Sequence, residues 1–163
     1  MSFDFKSRLG TDGFMGALII PDKIAQQLKA KKIKRVIAHV TANEKELTLY
    51  AGVARKKEIT YMMFSKANQK FLNVSSGDTI LISLNEDKSK YQAPMTEELE
   101  AVLLSDYDAY QIFEKLTPGR QRNIIFMVYR AKDSQKRVDI ALNAMENLKV
   151  GNHDPFKFEK LLG

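Results

Sequence analysis

Two lysine-rich runs are the residues in this chain with the type and spacing to do chemistry, and that chemistry is the binding of anions. Lys29, Lys31, Lys32, Lys34 and Arg35 crowd one stretch, and Arg55, Lys56 and Lys57 form another. Such runs are most often solvated loops. They also match what a phosphate backbone requires, because nonspecific affinity for nucleic acid comes mainly from charge and released counterions. Lys31, Lys32, Lys34, Arg35, Arg55, Lys56 and Lys57 are therefore the candidate phosphate contacts. Few aromatic residues interleave with them, which argues against bases stacking along a single strand.

Other chemistries find little support. The chain has no cysteine, hence no disulfide, thiol nucleophile or thiolate zinc site. Its two histidines, His39 and His153, have no partner at ligand spacing, so no metal is expected. His39 alternates away from Val36, Ala38 and Val40 and reads as a surface residue. No Gly-x-Ser-x-Gly elbow and no glycine-rich phosphate loop occur. The paired acids Asp106 and Asp108 read as a helix cap and a first-turn acid. The expectation is a non-enzymatic binding protein without a cofactor.

The elements that must position the basic runs are strands. Val74 to Leu84 holds a Gly77-Asp78 turn and then alternates Ile80, Ile82 and Leu84 against Thr79, Leu81 and Ser83. A helical pattern from Asn68 to Leu72 and a strand at Thr60–Phe64 precede it. The same strand-helix-strand unit recurs 44 residues earlier, where Leu18, Ile20, Leu28, Val36, Ala38 and Val40 fall on Met62, Phe64, Leu72, Ile80, Ile82 and Leu84. Phe3–Leu9, a turn at Gly10–Gly13 and Phe14–Ile20 read as a hairpin. Leu47–Tyr50 adds a strand, and Arg55–Glu58 a hairpin tip. About seven strands and two short helices close most simply into a small barrel within one chain, so a monomer or a weak homodimer is expected.

From Thr96 the period becomes helical. Caps are expected at Thr96, Asp106, Thr117 before Pro118, and Asp133 or Ser134. Ile124, Met127, Val128 and Ala131 form one apolar stripe, and Val138, Ala141, Leu142, Met145 and Leu148 another. Gly151 stops the last helix, and a tail with Phe156, Phe158, Leu161 and Leu162 docks on the body. Charge divides with the pattern: residues 1–92 carry 16 Lys and Arg against 9 Asp and Glu, residues 93–163 carry 10 against 11, and the whole is +6. Two modules are expected, a barrel over 1–92 and a helical domain over 93–163. No apolar run approaches the ~20 residues that span a bilayer, and the N-terminus lacks a signal-peptide pattern. A cytoplasmic location follows as the expectation.

The segment from Ile20-Pro21 through Gly77-Asp78-Thr79, then Ala93-Pro94, Phe113 to Pro118 and Arg130-Ala131-Lys132, resembles the YdeI/OmpD-associated family. That resemblance runs from about Phe3 to Gly151. It implies a small barrel fused to a helical domain of the bacteriocin-protection type, with a link to tolerance of bacteriocins or antimicrobial peptides. Here Lys136 stands where the family has Thr, Asp139 where a basic residue is typical, and Met127 where an aromatic is expected. The barrel half is similar to double-split barrels of the AbrB-like and MazE-like kind, which are built from two chains and often bind DNA. The fold class expected is thus α+β, a double-split barrel followed by a helical domain. The resemblance also suggests that Arg122, Lys132 and Arg137 form an anion-binding corner for a carboxylate or phosphate, the expected partner being a small anion or a peptide. Arg would grip it bidentately and Lys act as a point charge. The amides opening the helix after Asp133 favour the same anion, unless the Asp133 carboxylate takes them first.

Overall fold

The computed structural model describes residues 2–10 and 14–162. The chain divides into two compact units, Met1–Lys88 and Ser89–Gly163. The first is a strand-rich α+β unit and the second is helical. No helix among the described residues is long and apolar enough to cross a membrane.

The first unit runs β1 (Ser2–Arg8), β2 (Ala17–Ile20), α1 (Asp22–Ala30), β3 (Arg35–Ala42), β4 (Lys45–Gly52), β5 (Ala54–Lys56), β6 (Ile59–Met63), α2 (Lys66–Leu72) and β7 (Thr79–Glu86). Hydrogen bonding splits the strands into two antiparallel sheets, ordered β1-β7-β3-β4 and β2-β6-β5. One core serves both, and the alternating residues supply it: Val36, Ala38 and Val40 from β3, Ile80, Ile82 and Leu84 from β7, and Leu18, Ile20 and Met62 from the smaller sheet. Both helices are too short to persist alone. Each is held by one buried leucine, Leu28 in α1 and Leu72 in α2.

The strand register follows the spacing of 44. Leu18 lies opposite Met62 and His39 opposite Ser83. In both pairs a residue faces its own counterpart in the other unit, as two strand-helix-strand units related by a two-fold axis must do. The helices keep the spacing too, since α1 opens at Asp22 and α2 at Lys66.

The hairpin expected over Phe3–Ile20 does not form. β1 pairs with β7, setting Phe3 against Leu84 and Phe5 against Ile82, while β2 pairs with β6. Among the described residues the two segments meet where Leu9 bridges Leu18 and the Gly10 amide donates to the Ala17 carbonyl at 3.2 Å. The apolar alternation of β7 offers β1 a longer matched face than the four residues of β2 can. The Gly77-Asp78 turn completes this choice. Leu9 donates to the Asp78 carbonyl at 2.9 Å and accepts from the Gly77 amide at 2.7 Å. Gly77 has φ +93, open to glycine at little cost, and the Asp78 carboxylate takes the Ser75 amide at 2.9 Å. Of the expected turn at Gly10–Gly13, Thr11, Asp12 and Gly13 lie outside the described residues.

The second unit holds α3 (Glu97–Ser105), α4 (Tyr107–Lys115), α5 (Pro118–Tyr129) and α6 (Ser134–Lys149), then a 3₁₀ turn at Pro155–Lys157. Each α-helix starts on a side-chain cap: Thr96, Asp106, Thr117 and Asp133 accept from the amides of Leu99, Ala109, Arg120 and Gln135. The stripes turn slightly from the expected ones. On α5 the buried residues are Ile124, Ile125 and Val128, with Met127 partly exposed and Ala131 beyond the helix end. On α6 Leu142 is exposed, and Ala144 and Asn147 are buried instead. Phe158 packs against the helical core whereas Phe156 is solvent-exposed.

Candidate anion-binding groove

The two basic runs meet, in part, beside α1. Residues Ala25 and Lys29 lie four apart on one face of α1, and Asp22 and Gln26 extend that face. β5 and β6 bring Arg55 and Thr60 to the same place. The loop leaving α1 adds Lys32 and Lys34. The result is two adjoining hollows sharing Ala25, Lys29, Arg55 and Thr60. The larger, of about 520 Å³, has cations Lys29, Lys32, Lys34 and Arg55 around a floor that includes Leu28, Ile33 and Val53. The smaller, of about 380 Å³, carries Asp22 and Glu58 beside Lys29 and Arg55. An anionic group is therefore favoured in the larger hollow and opposed at the far end of the smaller one. Cations ranged along low-dielectric walls also focus their field into the hollow.

Lys32 sits here with φ +57, in the left-handed region. That conformation is costly for a side chain bearing Cβ and free for glycine. The backbone at this position is better suited to glycine, yet it presents an ammonium group to the groove.

The other basic residues go elsewhere. Lys31 lies over the Phe3 ring, its Nζ 6.0 Å from the centroid. Arg35 is not in the loop but in β3, opposite Gly52, where a Cβ would come within 3.0 Å of its guanidinium. Lys56 follows Arg55 in the strand and so takes the opposite face. Lys57 and Glu58, with φ +50 and +65, form the two-residue turn from β5 to β6. The signal that could have found Arg55 was strand alternation. That Lys29, Lys32 and Lys34 would share a hollow with it depended on the α1–β5 packing, which the sequence does not display.

Of the residues of the expected corner, Arg122, Lys132 and Arg137, the last is engaged elsewhere. Asp133 caps α6, its carboxylate accepting the Gln135 amide at 3.1 Å. Arg137 turns back onto the end of α5, with Nε donating to the Ala131 carbonyl at 2.8 Å and Nη2 to the Tyr129 carbonyl at 3.2 Å. Its third nitrogen lies 3.8 Å from Glu98 on α3, an ion pair between helices that no spacing along the chain displays. These bonds satisfy carbonyls that a helix end leaves open. Seven helical residues, about 10 Å of rise, separate Arg122 from Tyr129. Lys132 is exposed.

The helical unit has its own polar cluster. Glu114 accepts from the Tyr91 hydroxyl and pairs with Lys90 at 3.1 Å. Burial and the bond to Glu114 push the Tyr91 phenol far above its usual range. Burial raises Glu114, but the bonds from Tyr91 and Lys90 outweigh it and leave the carboxyl below its ordinary value. A phenol held so firmly protonated gives up its proton poorly, and the cluster reads as a structural clasp. His39 is exposed and lies 3.3 Å from the Thr48 hydroxyl, and His153 lies 3.2 Å from the Leu148 carbonyl. Among the described residues no group of three or more His, Cys, Asp or Glu could hold a metal ion.

Residues 92–151 match the model of the family described as bacteriocin-protection, YdeI or OmpD-associated. The match covers the helical unit up to the end of α6 and leaves the strand-rich unit outside it. No curated protein matches the chain.

Proposed function

We propose that this chain, whose helical unit carries the YdeI/OmpD-associated match, is a non-enzymatic binding protein with its ligand site in the α1–β5 groove. The ligand class is a small anion, phosphate or carboxylate, carried on an apolar body. One observation supports this above others: cations from the end of α1, the following loop and β5 ring a single hollow with an apolar floor. Its volume of about 520 Å³ falls among small-molecule sites, which run to roughly 300–1,000 Å³. We place the protein in the cytoplasm as a monomer. A cysteine-free chain asks nothing of an oxidising compartment, and both strand units of the first unit lie in one chain. A link to bacteriocin tolerance would then be indirect, because a net charge of +6 repels a cationic peptide.

The nucleic-acid alternative draws on the same convergence of basic residues. Two measurements separate them. A short alkyl phosphate should raise the melting temperature more than inorganic phosphate does, and Lys32→Ala with Lys34→Ala and Arg55→Ala should remove the gain. Lys32→Gly should melt higher than the wild type by relieving the backbone, yet respond less to the probe. If the triple variant gains as much as the wild type, the groove is not the site. Duplex retention at low salt that falls steeply with added salt would favour the nucleic-acid reading.

A further inference from the structure

The groove beside α1 has two ends of opposite charge. Lys32 and Lys34 line the larger hollow alone, Asp22 and Glu58 the smaller alone, and Lys29 and Arg55 belong to both. The order follows α1. Asp22 opens the helix and Lys29 lies in its last turn, seven residues or about 10 Å of rise further on. The helix dipole explains those two by itself. It does not explain the facing hairpin, which repeats the order: Glu58 sits in the turn from β5 to β6, and Arg55 sits back in β5, opposite Thr60. Among the described residues no ion pair joins these acids to these cations, and the Asp22 and Glu58 carboxylates have no hydrogen-bond partner. Thr60 lies where the hollows join. It is 6 % exposed and lines both, and its hydroxyl bonds to no described residue. A hydroxyl so far removed from water is costly unless bonded.

We propose that the two hollows are one site for a small zwitterion. Its phosphate or carboxylate lies among Lys32, Lys34 and Arg55, its ammonium group lies between Asp22 and Glu58, and a short apolar chain joins them past Ala25 and Thr60. The inference rests on the α1–β5 groove being the ligand site, and it gives that ligand a second charge. The unpaired carboxylates are the reason. A plain anion gains from the cations and is repelled by Asp22 and Glu58, whereas an ammonium at the far end turns both acids into partners. The Gln26 side-chain carbonyl, at the same end, can accept a further bond from that ammonium. The Thr60 hydroxyl meets the middle of the ligand, where a polar atom would satisfy it. The same two acids oppose a continuous polyanion laid along the groove. Asp22 and Glu58 are exposed, so the ammonium end stays open to water.

The test is calorimetric titration of the full chain with butyl phosphate and with aminobutyl phosphate, which differ only in the terminal ammonium. The amino probe should bind about fivefold or more tightly, the scale of one exposed ion pair. Asp22→Asn with Glu58→Gln should bring the two probes to equal affinity, with circular dichroism confirming the fold. Lys32→Ala with Lys34→Ala and Arg55→Ala should weaken both. If butyl phosphate binds and the amino probe binds no more tightly, the zwitterion inference fails and the anion site stands. If neither probe binds, the groove is not a ligand site and both fail together. A preference for the amino probe that survives the exchange of Asp22 and Glu58 puts its ammonium elsewhere and overturns the assignment. Should that variant not fold, the two wild-type titrations decide alone.

Discussion

Arg137 and Lys132 looked like equal members of one anion site, and the fold gives them opposite duties. Lys132 stands in water at the α5–α6 junction, and its replacement by alanine should change stability by less than about 0.5 kcal/mol. Arg137 closes two carbonyls at the end of α5 and approaches Glu98, its side chain 28 % exposed. Arg137→Ala should cost about 1–2 kcal/mol, because charge-assisted bonds to helix-end carbonyls are lost. Chemical denaturation of the two single variants checks this. Equal, negligible effects would show that the Arg137 bonds contribute nothing. The Asp133 cap was legible in the sequence, since Asp or Ser before a periodic run is a helix start signal. Arg137's partners were not, because the Tyr129 and Ala131 carbonyls are exposed by where α5 ends and Glu98 arrives from a separate helix. Asn147 was equally hidden: a polar residue on an apolar face gives no sign of the Glu159 main chain that satisfies it.

Among the elements, the β3–β4 and α2 connection shows how one turn can serve two neighbours. Asn43 and Glu44, with φ +50 and +61, make the two-residue hairpin turn. Left-handed positions favour Asn and Gly, so Glu44 is the strained member. Asn43 does more than turn the chain, since its Nδ2 donates to the carbonyls of Leu72 and Asn73 at 2.9 and 2.8 Å, where α2 ends. Glu44→Gly should therefore stabilise the protein by up to about 1 kcal/mol. Asn43→Gly should destabilise it by about 1–2 kcal/mol despite an equally tolerant backbone, because two carbonyls lose their donor. Melting curves of both variants test the pair, and stabilisation by both would refute the tie to α2. The helix caps, the Gly77-Asp78 turn and the alternating faces of β3 and β7 were all legible, because each is set within a few residues. Which sheet β1 joins was not, because it turns on a strand more than seventy residues away.

In the helical unit as a whole, Asp106 and Glu114 are lowered on the acid side, and Tyr91, Lys90 and Lys149 are raised on the alkaline side. Asp106 lies below its ordinary value, chiefly through the Lys149 ammonium 2.8 Å away and also through the Ala109 amide. Glu114 is lowered as well, by Tyr91 and Lys90 against burial. A carboxyl lowered by folding adds stability above its unfolded pKa of about 4 and loses it as pH falls through the folded value. Tyr91 is raised, so its share is complete below about pH 10 and lost as pH rises further. The unit should hold constant stability between those limits and weaken outside them. Lys149→Ala should lower the melting temperature at neutral pH, and the difference should shrink once Asp106 is protonated. A gap that persists undiminished at pH 2 would assign the Lys149 effect to packing instead.

The pairing of β1 with β7 also has a consequence for how the protein is made. Phe3 and Phe5 are translated well before their partners Leu84 and Ile82, which come almost last in their unit. A ribosome adding 5–20 residues per second leaves that first strand without its neighbour for roughly 4–16 s. β3, meanwhile, has only β4 to pair with until β7 arrives on its other side. Through that interval two edges and an apolar face of the growing sheet are open to other chains. The strand order thus sets a period in synthesis when this protein depends on whatever shields a nascent chain.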